Sequence, residues 1–127
     1  MKHFIIRPEL GEVNELFYLD KSEPKYEWLQ RMIGGPVECV DINDAGDFLY
    51  INENGLLQDS NYFFELHSPL YAKPYPLAGT AIVSGTTMDG DDTNPKITHK
   101  KLKEIIKFKG KHKIDSNAME IKIAALH

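Results

Sequence analysis

Phe48-Leu49-Tyr50-Ile51-Asn52-Glu53-Asn54-Gly55 is the stretch on which the fold turns. Two aromatics and two aliphatics in a row suit a central strand. The following Asn54-Gly55 is the preferred pair for a type I′ hairpin turn, where both positions take φ > 0. The reading therefore expects a strand over residues 47–52, Gly55 at positive φ, and Leu56-Leu57 returning as a short strand. Upstream, Val37, Cys39 and Asp41 alternate against Glu38 and Val40, which gives a half-buried strand over 36–41. Asn43-Asp44-Ala45-Gly46 is the turn cluster between the two. Downstream, Gly79-Thr80-Ala81-Ile82-Val83 reads as a strand, so one antiparallel sheet is expected to contain 36–41, 47–52 and 79–84.

Working outward, Phe4-Ile5-Ile6 is a short strand stopped by Arg7-Pro8, and Val13 to Leu19 is a second strand of ambiguous period. A helix follows, with Ser22 as N-cap, Pro24 in the first turn, and Tyr26, Leu29, Met32 and Ile33 as its apolar stripe. Gly34-Gly35 ends it, because glycine enters the left-handed conformation without penalty. Asn61 to Leu66 is read as one or two helical turns capped by Asp59 or Ser60, and Pro69, Pro74 and Pro76 as ruling out regular structure up to Leu77. Ser84 to Asn94 is a polar loop. Thr98 caps a basic helix whose apolar face is Leu102, Ile105 and Ile106 and whose end is Gly110. Residues 111–127 form either a last strand, with Met119, Ile121, Ile123 and Ala125 at a period of two, or a tail. The fold class expected is α+β: a small antiparallel sheet of meanders and hairpins, one packed helix, and a basic C-terminal helix. Residues 1–95 are the core, and 96–127 are the basic helix and tail, in the same domain or as an appended arm.

A chain of 127 residues, 42% hydrophobic and 27% charged, has the composition of one globular domain that needs no disulfide or metal to build a core. Cys39 is the single cysteine and is read as a buried, inert thiol. The opening Met1 to Pro8 is too short an apolar run for a signal peptide, and no stretch approaches the ~20 residues of a spanning helix, so a cytoplasmic protein is expected. The net charge of −4 is unevenly spread. Residues 1–95 carry 6 Lys/Arg against 16 Asp/Glu, whereas 96–113 carry 8 Lys against one Glu. Such asymmetry describes an acidic body with a basic segment. That segment packs on its own body or on a second copy, or it meets a nucleic acid or nucleotide, or it is merely solvated.

Chemistry-bearing motifs are sparse. Asp89-Gly90-Asp91-Asp92-Thr93-Asn94 groups oxygen ligands around a glycine but lacks EF-hand spacing, and is read as a solvated loop. His3, His67, His99, His112 and His127 include no i, i+4 pair, and one cysteine cannot complete a structural zinc site. Nucleophile elbow, phosphate loop and dinucleotide fingerprint are all lacking. The expectation is a protein without catalysis, metal or cofactor; an enzyme would have to use Glu38 or Glu53 as acid/base. The binding reading places an anionic nucleotide on Lys100, Lys101, Lys103 and Lys107, with Tyr62, Phe63, Tyr71 or Tyr75 stacking its base. Lysines without arginine supply point charge rather than planar recognition, which argues against sequence-specific DNA reading.

The run Leu29-Gln30-Arg31-Met32-Ile33-Gly34-Gly35-Pro36-Val37-Glu38, then Asn52-Glu53-Asn54-Gly55, Asn61 and the Gly79 to Val83 strand, resembles a family found in phages and mobile elements, domain of unknown function 3846. Its members carry a Leu-Gln-x-x-Val-Gly-Gly-x-Ile-Glu run, an Asn-Glu-x-Gly hairpin and an Ile-x-Gly strand in that order. The likeness covers roughly residues 2–85; this chain departs from it at Pro36, in the aromatic and proline-rich stretch 62–77, and in the basic segment. The resemblance implies an origin and not an activity. From it comes the expectation of a phage- or mobile-element-borne binding protein that counters host defence by sequestering a small nucleotide signal. The alternative is an inhibitor of a host protein whose acidic body mimics nucleic acid. A homo-oligomer is a further expectation, and a membrane partner is not expected.

Overall fold

Alternation in two short runs, Phe4-Ile5-Ile6 and Ala81-Ile82-Val83, sets up a sheet with both faces covered. The computed structural model describes residues 1–18, 23–55 and 62–111. In chain order the elements are β1 (Lys2–Arg7), β2 (Glu12–Phe17), α1 (Lys25–Ile33), β3 (Val37–Asp41), β4 (Asp47–Asn52), β5 (Tyr62–Leu66), β6 (Tyr75–Ala78), β7 (Ala81–Thr86), β8 (Asp92–Thr93), α2 (His99–Ile105) and β9 (Ile106–Lys111). The larger sheet runs β2-β1-β7-β4-β3 with β8 on β7, and the smaller runs β6-β5-β9. Every pairing among these strands is antiparallel. The class is α+β, and the expected strands β3, β4 and β7 are consecutive neighbours in the larger sheet.

One face of that sheet carries Phe4, Ile6, Val40, Leu49, Ile51, Ala81 and Val83 into the main core, where Phe64, Leu66 and Leu77 of the smaller sheet and Leu102 and Ile106 meet them. The opposite face carries Ile5 and Ile82 against Trp28, Leu29 and Ile33 of α1. Burying each of these large side chains contributes about 1.5–3 kcal/mol at most. α1 ends as expected: Gly34 sits at φ 89° and its N–H donates to Gln30. Its buried stripe is Trp28, Leu29 and Ile33, with Met32 half-buried and Tyr26 exposed. The helix starts later than expected, at Lys25, so that Pro24 occupies the N-cap position rather than the first turn and Ser22, outside the described residues, is not the cap. Leu56-Leu57 and the strand expected near 119–125 also lie outside the described residues.

Five expectations are corrected. Gly55 is not at positive φ; a Cβ there would lie 2.4 Å from the Ala78 carbonyl oxygen, so close approach rather than turn geometry calls for glycine. Both sides of β4 are taken, by β3 and β7. Residues 62–66 are strand β5, because Phe64 and Leu66 alternate into the core between β6 and β9. Pro76 lies inside β6, tolerated because β6 is an edge strand and needs no second ladder of N–H donors. The basic helix stops at Ile105, and Ile106-Lys107-Phe108-Lys109-Gly110-Lys111 continues as β9. Gly110, at φ 83°, accompanies a register shift against Phe63 and Phe64, a bulge rather than a helix end. The polar loop after β7 is shorter than expected, because β8 returns to pair Gly85 with Thr93 and Thr86 with Asp92.

Candidate functional site

Asp47 organises the region where three distant segments meet. It opens β4 and is 1% exposed. Its carboxylate accepts the Lys96 N–H and the Ile97 N–H, each at 2.8 Å, and the Asn43 side-chain amide at 3.0 Å. Asn43 in turn accepts the Ala45 and Asp47 N–H groups at 2.9 and 3.2 Å, folding the turn before β4 as an Asx motif. A buried charge with these charge-assisted donors is satisfied by fixed backbone and cannot turn outward without stranding them. Thr98 caps α2 as the sequence indicates, its Oγ1 accepting the Lys101 N–H at 3.1 Å. From the other side the His67 N–H donates to the Ile105 carbonyl at 2.8 Å, and Ser68 Oγ donates to the Ile42 carbonyl at 2.7 Å.

Between these pins lies a groove of about 370 Å³. Ile42, Pro69, Ile97 and Ile105 give it apolar walls, and Lys96, Lys101 and His67 stand at its rim. Lys96 Nζ donates to the Ala45 carbonyl at 2.6 Å, which holds its stem along the groove. Lys101 Nζ lies 3.8 Å from Glu104, a loose exposed pair that leaves the ammonium open to other anions. A second hollow of about 200 Å³ adjoins, sharing His67 and Ser68 and adding Tyr71, Ala72, Lys73 and Pro74.

The lysines read together from the sequence divide among separate surroundings. Lys101 reaches the groove; Lys100 and Lys103 line a separate, more open depression of about 580 Å³ with His99 and Glu104. Lys107 is on β9 opposite Glu65 in the register, and Lys109 Nζ lies 3.6 Å from that same carboxylate. Part of the basic segment thus rests on its own acidic body. The aromatics divide too. Tyr62 and Phe63 are on β5, with Lys111 Nζ 5.9 Å from the Tyr62 ring centroid. Tyr71 and Tyr75 are stacked obliquely at 4.6 Å and pack on the main core, and Tyr71 Oη donates to the Asp41 carbonyl at 2.7 Å. Burial, then Tyr75 and Asp41, pushes the Tyr71 phenol up, so it remains a neutral donor. Of the aromatics named from sequence, Tyr71 is the one that borders a hollow next to Lys101's groove.

Other candidates are placed as follows. Cys39 is exposed, not buried: β3 is an edge strand and Cys39 is on the face away from Val40. Its thiol is pushed up by partial burial and then by Asp41 and Glu38, which disfavours the reactive thiolate. The Glu38 carboxyl is raised by partial burial and then by Glu53, but neither glutamate lines the two hollows. In the acidic loop, Asp92 pairs with Lys25 at 2.7 Å. His99 stacks on Phe4 and bonds the Val13 carbonyl, a structural role. Among the described residues no group of three His, Cys, Asp or Glu is arranged to hold a metal, and no helix is long and apolar enough to cross a membrane.

Sequence reasoning missed Lys96, His67 and Asp47. Lys96 alone carried a signal, as the lysine next to Pro95 where the basic segment begins; the others acquire meaning only when residues 42–47, 67–69 and 96–105 are brought together. No curated protein and no solved structure matches the chain. A family model does, across residues 1–107, a span that takes in both sheets up to the first residues of β9. The chain belongs to the family described as Domain of unknown function (DUF3846).

Proposed function

We propose that this protein is a non-catalytic binder of a small anionic nucleotide, taken up in the groove between α2 and the turns after β3 and β5. The observation that carries the reading is the pairing of apolar walls with two exposed lysines, Lys96 and Lys101, in the lining of a cavity of about 370 Å³. Pockets of roughly 300–1,000 Å³ with few polar groups are the usual form of small-molecule sites. A base would lie against Ile42, Ile97 and Ile105, and a phosphate would meet the ammonium groups. In a phage or mobile element, the setting that the sequence resemblance suggests, a scaffold of this kind would act by sequestering a host nucleotide signal, the simplest role for binding without chemistry.

The test is calorimetric titration with mono-, di- and oligonucleotides at two salt concentrations. Wild type should bind at least one, more weakly at high salt. Lys96→Gln with Lys101→Gln should weaken binding several-fold, and Lys100→Gln with Lys103→Gln much less. Wild type that binds none of the panel overturns the reading. A second reading, an inhibitor of a host protein, draws on the edge strand β2, where Glu12 and Glu15 are exposed beside Leu10 and Phe17 at 60% and 53% exposure. Under that reading Glu12→Lys with Glu15→Lys abolishes activity against the host factor while the groove variants do not.

A further inference from the structure

The groove does not end at His67. Its neighbour, the hollow of about 200 Å³, shares His67 and Ser68 with it and continues toward Lys73. The two compartments differ in chemistry. The larger is walled largely by aliphatic side chains, whereas the smaller mixes apolar residues with Tyr71, Lys73 and His67, whose Nε2 lies 3.3 Å from the Glu65 carboxylate. The floor they share is rigid. Ser68 Oγ donates to the Ile42 carbonyl and accepts the Leu70 N–H at 3.2 Å, while the Ser68 carbonyl accepts the Tyr71 N–H, also at 3.2 Å. Each of the two adjoining hollows thus has its own lysines: Lys96 and Lys101 line the larger, Lys73 the smaller. A ligand with one phosphate could engage only one hollow.

Resting on the nucleotide reading above, we infer that the site takes a two-lobed ligand with two separated anionic groups, of the dinucleotide class, with one base in the aliphatic groove and the second phosphate passing over His67 to Lys73. Exposed lysine–phosphate contacts are individually weak, so the second lobe should contribute a factor of roughly five rather than orders of magnitude. Deoxygenating or removing a base is not required to see it; the spacing of charge is.

The experiment compares AMP with the linear dinucleotide pApA on wild type, Lys73→Gln and Lys101→Gln, by calorimetry at low salt. Wild type should prefer pApA about fivefold or more. Lys73→Gln should remove that preference without changing AMP affinity, while Lys101→Gln should weaken both ligands. Equal affinity of wild type for AMP and pApA, or a Lys73→Gln variant that keeps the preference, overturns the two-lobed site and leaves the nucleotide reading standing. Absence of binding by either ligand to wild type overturns both. A melting curve on each variant checks the fold; because Lys73 and Lys101 are exposed, each should melt with wild type.

Discussion

On one face of the larger sheet Phe4, Ile6, Leu49, Ile51, Ala81 and Val83 join an apolar core; on the other, one residue along the same strands, His3 and Ser84 are buried, His3 with its ring 5.6 Å from that of Trp28 in α1. The Ser84 hydroxyl has no hydrogen-bond partner among the described residues, and the His3 ring has at most a weak contact with the Val83 backbone. The register that pairs Ile5 with Ile82 and Phe4 with Val83 brings His3 opposite Ser84 one step further on. The first face seats Leu102 and Ile106 and so fixes α2, the wall of the groove. The second holds α1 through a smaller cluster, Ile5, Ile82, Trp28, Leu29 and Ile33, and keeps polar groups in an apolar place. Alternate residues of the same strands therefore separate two properties: the groove depends on the apolar face, and sensitivity to pH resides on the helix face.

The largest expected effects test that separation directly. Leu102→Ala and Leu29→Ala should each lose about 3 kcal/mol in chemical denaturation, since both delete a fully packed side chain. Leu102→Ala should also distort the groove and weaken nucleotide binding, whereas Leu29→Ala, still folded, should bind like wild type. Equal losses of binding would mean that the two faces are not separable.

Next comes pH. Burial, and then the nearby Lys25 charge, lowers the His3 pKa from 6.5 to about 4. The Val83 backbone, and after it Asp92, which is paired with Lys25, pull in the opposite sense without offsetting the burial. The unfolded chain binds the proton between these values and the folded chain does not, so stability is full above about 6.5 and falls as pH drops toward 4. The loss from this group amounts to about 3 kcal/mol. His3→Phe should flatten the stability profile in that window and leave the groove's affinity at pH 7 unchanged. A variant with the wild-type slope would place the titration elsewhere.

Smaller effects come from two glycines with different reasons to be glycine. Gly55→Ala should lose about 2 kcal/mol, because its Cβ would press on the Ala78 carbonyl, backbone that cannot swing aside. Gly34→Ala should lose about 1 kcal/mol, from its φ of 89° alone, since nothing lies within 4 Å of the added carbon. Melting curves on the two variants give the order, and a Gly34 loss exceeding that of Gly55 would reverse the assignment.

The central meander was legible because its signals are local. Phe48 to Ile51 is aromatic and β-branched, and Gly34 follows a helical stripe. Elsewhere local signals competed. Tyr62 to Leu66 is too short to separate a helix turn from a strand, and its β5 pairing with β6 and β9 decided the matter. Ile106 to Lys111 alternates at a period of two, but it directly follows a capped helix, and the lysines favour continuing it until tertiary pairing with β5 takes over. Trp28 escaped the stripe because Tyr26, three residues before Leu29, fits the same helical spacing, yet Tyr26 is exposed and Trp28 is buried. The groove was illegible for a further reason: its walls come from residues 42–45, 67–69 and 96–105, and no pattern within any one of them encodes a cavity.

Amide chemical-shift mapping of the nucleotide complex tests the central claim most directly. The largest perturbations on titration should fall on Ala45, Ile97, Lys101 and Ile105, with His67 and Lys73 added for pApA. Perturbations spread over Lys100, Lys103, Lys107 and Lys109 with the groove unmoved would contradict the claim and describe diffuse attraction to a basic surface.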